Sequence, residues 1–234
     1  MALEVAECLS VTNIDWQSID TVLLDMDGTL LDLRFDNDFW LEVIPTAYAK
    51  LQNITPSQAK TVLTPMFQHQ QGKLNWYCID YWSEILGIDI ASLKRQRAHG
   101  VAWRPWAERF LQRLHQSHCK VILVTNAHPE TLAIKLERIA LAHWFDALIS
   151  SHQLGAPKES QVFWQALQQQ HPFNPKSTLF IDDSETVLAT ADTYGIAHLI
   201  TLRQPDSHGP IRHATRYPAI HHFKEIDQGL SNDG

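Results

Sequence analysis

Four short runs of this chain are almost purely apolar: residues 22–24, 121–124, 179–181 and 198–202, with 147–149 a weaker fifth. A strand with one wet face alternates apolar and polar side chains, whereas a continuous apolar run needs cover on both faces. Such strands belong in a parallel sheet packed between helices. Helical patterns lie between them. Pro105 reads as a helix start, followed by Ala107, Phe110, Leu111 and Leu114 at helical spacing. Residues 131–140 carry Leu132, Leu136 and Ile139 on one face, and 161–168 carry Val162, Phe163, Ala166 and Leu167. Strand–helix alternation of this kind predicts an α/β fold with a doubly wound parallel sheet.

One interval departs from that alternation. Between Leu30 and Trp103 there is no strand pattern. Residues 37–50 are amphipathic but contain Pro45, which is expected to kink or end a helix. Thr55-Pro56 reads as an N-cap with proline at the first helical position. Residues 75–86 form an aromatic-rich helical pattern, and 91–99 a basic one. The expected organisation is a core of residues 1–33 and 103–234, with an all-α subdomain, 34–102, inserted after the first strand.

The bulk properties exclude several classes. Hydrophobic residues make up 44% of the 234, enough for a sizeable core. The formal charge is −7 and the basic residues are dispersed, so no stripe for nucleic acid is expected. No apolar run approaches the ~20 residues of a membrane span, and 1–10 lacks the pattern of a signal peptide. Cys8, Cys78 and Cys119 are isolated and odd in number, which argues against a disulfide framework or a zinc site and suits a reducing cytoplasm. The 13 histidines show no ligand spacing. No obligate protein partner is expected.

The chemistry lies at the ends of the strands. In open parallel sheets ligands bind beyond the carboxyl ends. The first strand ends in Asp25-Met26-Asp27-Gly28-Thr29. Residues i and i+2 share a face of a strand, so Asp25 and Asp27 can converge. Two close carboxylates stay ionised only beside positive charge, and a hard divalent cation such as Mg²⁺ supplies it. Thr125-Asn126 ends the second run, and its hydroxyl and backbone N–H suit phosphoryl oxygens. Gly155-Ala156-Pro157 fixes a loop that sets Lys158 near a helix N-terminus, which favours an anion. Asp182-Asp183-Ser184 follows the strand at 179–181 and suggests a metal again. Each signal has a plainer local reading as a turn, a solvated lysine or a helix cap. The chain has no GxxxxGK[ST] or GxGxxG loop, which disfavours Walker-type NTPases and Rossmann dehydrogenases.

In order and spacing these four motifs resemble the haloacid dehalogenase superfamily of phosphohydrolases, over almost the whole chain. The resemblance implies a helical cap for the insert. It implies Asp25 as nucleophile, giving an aspartyl-phosphate, and Asp27 as acid and then base. Thr125, Asn126 and Met26 would contact the phosphoryl group, and Lys158 would offset its charge. Mg²⁺ would be held by Asp25, Asp27 through its carbonyl, and Asp182 or Asp183; the choice within that pair stays open. Dehalogenases of the family lack the second aspartate, and its transport ATPases carry Lys-Thr after the nucleophile, unlike Met26-Asp27 here. Residues 31–40 and 72–78 resemble the branch of 5′-nucleotidases acting on GMP and IMP. That implies a purine nucleoside monophosphate as the small-molecule substrate.

The residues are compatible with that substrate. Trp76 or Tyr77 could stack on a purine, and Asn37, Lys73 or Asn75 could bond its edge or the ribose. The competing reading puts Trp76, Ile79 and Trp82 on a buried stripe and Trp40 in cap packing. Arg34 and Asp36 fall near the crossover into the insert, where a hinge or gate belongs. A sugar-phosphate or phosphoglycolate phosphatase is the alternative activity, ahead of a phosphomutase or a non-catalytic binding module.

Overall fold

Each apolar run does become a strand, and the strands share one sheet. A computed structural model of the protein describes residues 14–230. Cys8 and residues 1–10 lie outside the described residues. The strands are β1 (Thr21–Leu24), β2 (Lys120–Thr125), β3 (Ala147–Ser150), β4 (Thr178–Ile181), β5 (His198–Leu202) and β6 (Ala219–Ile220). They form a parallel sheet in the order β3-β2-β1-β4-β5-β6. Chain order reverses beside β1, so the crevice of a doubly wound sheet opens there.

Alternation of side chains divides the core into two faces. Val22, Leu24, Val121 and Leu123 pack with Phe110, Leu111 and Leu114 of α7 (Ala107–His115). Leu23, Ile122, Val124 and Phe180 face the other way, against Phe163, Trp164 and Leu188. Those three lie on α9 (Gln161–Gln170) and α10 (Glu185–Tyr194). Both layers are buried, as continuous apolar strands require. Register then levels the strand ends: Leu24 pairs with Leu123 on one side and Ile181 on the other. Asp25, Val124 and Asp182 therefore come next to one another, and the Asp25 N–H donates to Ile181 O at 3.0 Å.

The insert is helical. It contains α1 (Arg34–Asp38), α2 (Ile44–Gln52), α3 (Pro56–Gln70), α4 (Leu74–Tyr77), α5 (Ile79–Leu86) and α6 (Ile90–Arg97). Its apolar cluster is separate from both faces of the sheet and is built on Phe39, Ile44, Leu63, Ile79, Trp82 and Ile90. Thr55 and Gln58 form a capping box at α3. Among the described residues, no helix is long and apolar enough to cross a membrane.

Three local expectations need correction. Pro45 does not end its helix. A π turn over Phe39–Val43 passes the Ile44 N–H back to Phe39 O, and the chain continues with proline in the first turn of α2. Residues 75–86 are two helices, because Cys78 adopts an extended conformation and caps α5 with its sulfur. Pro105 precedes α7 rather than opening it. Trp106 stands between them in a left-handed conformation, φ 70°.

Candidate active site

The residue that ties the strand ends together is Lys158. Its loop is held by Asn126, whose Oδ1 accepts the Lys158 N–H at 2.9 Å and whose Nδ2 donates to Glu159 Oε2 at 2.9 Å. The buried Lys158 ammonium donates to Asp25 Oδ1 at 2.5 Å, Asp182 Oδ2 at 2.7 Å and Val124 O at 3.1 Å. All three of its protons are thus spent. Burial lowers the affinity of this amine for its proton, but Asp182 and Asp25 outweigh burial and hold it protonated above the ordinary lysine range.

Asp25, Asp182 and Asp183 bring carboxylate oxygens within 4.8 Å of one another. One ammonium does not balance three acids. Burial drives the Asp25 carboxyl up to about 6, against the pull of Lys158 and with a push from Asp182. Asp183 is driven well above its ordinary value, by burial first and then by Asp182 and Asp25. An all-oxygen donor set with surplus negative charge fits a hard divalent cation. Asp182 already spends Oδ2 on Lys158 and Oδ1 on the Ser184 N–H. Among the described residues no hydrogen bond reaches the Asp183 carboxylate, although its carbonyl accepts from Arg212 at 2.6 Å. Gly28 makes room for Asp183. A Cβ there would sit 2.7 Å from Asp183 Cγ, and its φ of +83° is left-handed.

The Asp27 side chain turns away from this group. Lys135 of α8 (Pro129–Arg138) donates to Asp27 Oδ1 at 2.6 Å and to Asp36 Oδ2 at 2.5 Å. Lys94 of α6 donates to Asp36 Oδ1 at 2.7 Å and lies over the Phe39 ring at 4.5 Å. Both lysines are buried. Burial raises Asp27 to about 6, with Lys135 opposing and Asp36 and Asp25 adding. Asp36 is instead held far below the usual range, because its two lysines outweigh burial. A carboxyl poised near 6 suits a proton donor that must later accept one.

Thr125 is buried at the end of β2, its Oγ1 accepting the Ala127 N–H at 3.0 Å. It lines a cavity of about 310 Å³ together with Asp25, Asp27, Asn126, Lys158 and Asp183. That volume is at the lower end for small-molecule sites. The opposite wall is aromatic and belongs to the insert: Trp40, Phe67, Trp76 and Trp82. Phe67 meets Trp82 edge-on at 4.9 Å, Trp40 at 5.8 Å and Trp76 at 6.2 Å. Trp40 and Trp76 both pack on the insert's cluster and also line the cavity.

The other expected contact residues divide. Asn37 lines the cavity, but its Nδ2 donates to Asp206 Oδ2 at 2.7 Å. Tyr77 also lines it, and its hydroxyl donates to Glu159 Oε1 at 2.5 Å across the gap between insert and core. Burial and the Glu159 charge keep that phenol protonated. Lys73 and Asn75 are exposed and do not line the cavity. Met26 is buried in the core and its carbonyl accepts the Leu30 and Leu31 N–H groups.

Sequence reasoning missed Lys94, Lys135, Glu159 and Phe67. Lys135 stands 108 positions from Asp27 and among apolar residues of α8, so no spacing joins them. The segment after β5 also reaches the site, through Asp206 on Asn37 and Arg212 on the Asp183 carbonyl.

Comparison with known proteins agrees with this geometry. The sequence matches a family model described as haloacid dehalogenase-like hydrolase over residues 19–192. It is 41% identical over 218 residues, 93% of this chain and 98% of the relative, to the GMP/IMP nucleotidase YrfG of Escherichia coli. The Shigella flexneri protein of the same name matches equally. Two solved structures share the fold. One is a HAD phosphatase from Thermococcus onnurineus, with TM-score 0.72 and 18% identity over 88% of this chain and 95% of that one. The other is a HAD-superfamily hydrolase from Geobacter sulfurreducens, with TM-score 0.59 and 16% identity over 92% and 97%.

Proposed function

Because the chain belongs to the haloacid dehalogenase-like hydrolase family, we propose that it is a Mg²⁺-dependent 5′-nucleotidase hydrolysing GMP and IMP to nucleoside and phosphate. The observation that carries this reading is that Asp25, Asp27, Thr125 and Lys158 line the same cavity as the aromatic side chains of the insert. A relative 41% identical over 93% of this chain is named for those two nucleotides. In this reading 34–102 is the cap and the rest is the core, as the insert's separate apolar cluster supports.

The chemistry follows from the residues. An oxygen of Asp25 attacks phosphorus, and the bond from phosphorus to the nucleoside 5′-oxygen breaks. Asp27 gives that oxygen its proton, and the nucleoside leaves. Water then attacks the aspartyl-phosphate, its proton passes to Asp27, and the bond between phosphorus and Asp25 breaks to release phosphate. Lys158, fixed by Asp25 and Asp182, sets positive charge beside a reaction between two anions. Thr125 and Asn126 orient the phosphoryl oxygens. When bound, Mg²⁺ offsets the remaining charge on the phosphate and the carboxylates. Asp25, the Asp27 carbonyl and Asp183 are its ligands in this reading, and Asp182 steadies Lys158. Trp40 and Trp76 stack on the purine; Asn37 and Tyr77 border the ribose.

A panel of phosphate monoesters with Mg²⁺ tests the assignment. GMP and IMP are expected to give the highest kcat/KM, and EDTA to abolish turnover until Mg²⁺ is restored. Turnover of sugar phosphates or phosphoglycolate with none on GMP or IMP would overturn it.

A further inference from the structure

The isolated cysteines and scattered histidines argued against a metal-binding sulfur, but folding gathers three of them. Cys78 Sγ and one ring nitrogen each of His128 and His152 lie within 4.8 Å of one another. Cys78 sits in the break between α4 and α5, in the insert. His128 caps α8 just after β2, and His152 lies in the turn after β3, both on the core. The two imidazoles meet edge-to-face at 4.9 Å. Asp80 Oδ2 reaches His128 Nε2 at 3.5 Å from the insert side. His152 Nε2 is buried and has no hydrogen-bond partner among the described residues. Leaving a buried nitrogen without a partner is destabilising, and a bound cation there would supply one.

We propose that Cys78, His128 and His152 form a second metal site, for a borderline-soft divalent ion with Zn²⁺ foremost, which staples the helical insert to the core. One sulfur and two imidazoles are a donor set for zinc and a poor one for Mg²⁺, which takes oxygen. Asp80 or water completes four ligands. The site is distinct from the acidic cluster, whose donors are carboxylates only. Cys78 belongs to the insert and His128 and His152 to the core, and His128 also lines the cavity, so metal binding ties the insert to the core beside the cavity and slows exchange of substrate and product. The binding stands apart from the proposed activity; only the slowing rests on it.

Co²⁺ is the probe, added to chelator-treated full-length protein with Mg²⁺ in excess to fill the acidic cluster. The expected result is a thiolate-to-cobalt charge-transfer band that saturates at a single equivalent per chain and is displaced by Zn²⁺. Cys78→Ser is expected to lose the band. His152→Gln is expected to need about tenfold more Co²⁺ or higher. Both variants are expected to keep the parent's circular dichroism and its Mg²⁺-supported hydrolysis of p-nitrophenyl phosphate. Zn²⁺ inhibition at saturating Mg²⁺ is expected to weaken in Cys78→Ser. No band in the parent, or an unchanged band in Cys78→Ser, would overturn the site. Equal Zn²⁺ inhibition of parent and Cys78→Ser, with the band lost, would overturn the staple.

Discussion

Lys135 Nζ stands 2.6 Å from Asp27 Oδ1 and shares its charge with Asp36, 2.5 Å away on α1. One buried ammonium therefore couples the proposed acid–base group to the first helix of the insert. Removing it as Lys135→Met leaves the half-buried Asp27 without its ammonium and Asp36 with Lys94 alone. A loss of about 3–5 kcal/mol is expected in urea unfolding. Lys135 holds the Asp27 proton affinity down, so its loss raises that affinity. The alkaline limb of the kcat/KM profile for GMP then moves to higher pH. An unmoved limb would show that Lys135 does not act on Asp27.

Asp27→Asn separates leaving groups. General acid catalysis contributes about 10²–10⁴ in rate when the departing alkoxide is a poor leaving group. GMP hydrolysis is expected to fall by that order. p-Nitrophenolate departs without a proton, so the first step on p-nitrophenyl phosphate survives while hydrolysis of the aspartyl-phosphate stalls. Rapid mixing would show a burst of p-nitrophenolate followed by little turnover. Equal slowing of the first step with both substrates would remove Asp27 from the acid role.

Gly28→Ala puts a Cβ 2.7 Å from Asp183 Cγ on a backbone with φ of +83°. The left-handed conformation alone costs about 1–2 kcal/mol for a residue with a Cβ. Asp183 must shift, and with it a proposed cation ligand. The Mg²⁺ concentration for half-maximal activity is expected to rise at least several-fold, read by Mg²⁺ titration at fixed substrate. An unchanged midpoint would argue that Asp183 is not a ligand.

Stability should respond to pH and Mg²⁺ together. Asp25 at about 6 and Asp183 well above its ordinary value carry raised proton affinities in the folded state. For a raised group, the stabilisation is complete below the unfolded value of 3.8 and is lost as pH rises through the folded value. Between these bounds the cation-free protein gains stability on acidification from these two groups. Mg²⁺ competes with the same protons, so its rise in Tm is expected to be larger at neutral pH than at about pH 5. Scanning calorimetry with and without Mg²⁺ at both pH values checks the sign.

Trp40→Ala removes part of the aromatic wall. Base–aromatic stacking contributes about 1–3 kcal/mol, so KM for GMP is expected to rise about fivefold or more. KM for p-nitrophenyl phosphate, which carries no base, is expected to stay within about twofold. A parallel rise for both substrates would mean that Trp40 serves the insert's packing alone.

Local sequence determined the skeleton. The runs at 22–24, 121–124, 147–149, 179–181 and 198–202 became β1 to β5, because a short continuous apolar segment is stable only inside a covered sheet. The strand ends carrying Asp25, Thr125 and Asp182 were legible for the same reason: a strand's end and the polar residue after it are adjacent in the chain. Tertiary structure alone decided which lysines face which acids, and that Cys78, His128 and His152 meet. The contacts of Lys135 with Asp36 and of Cys78 with His128 and His152 cross the boundary between insert and core. Their geometry is set by how two separate apolar clusters dock, a long-range packing outcome that leaves no periodic trace in the order of residues.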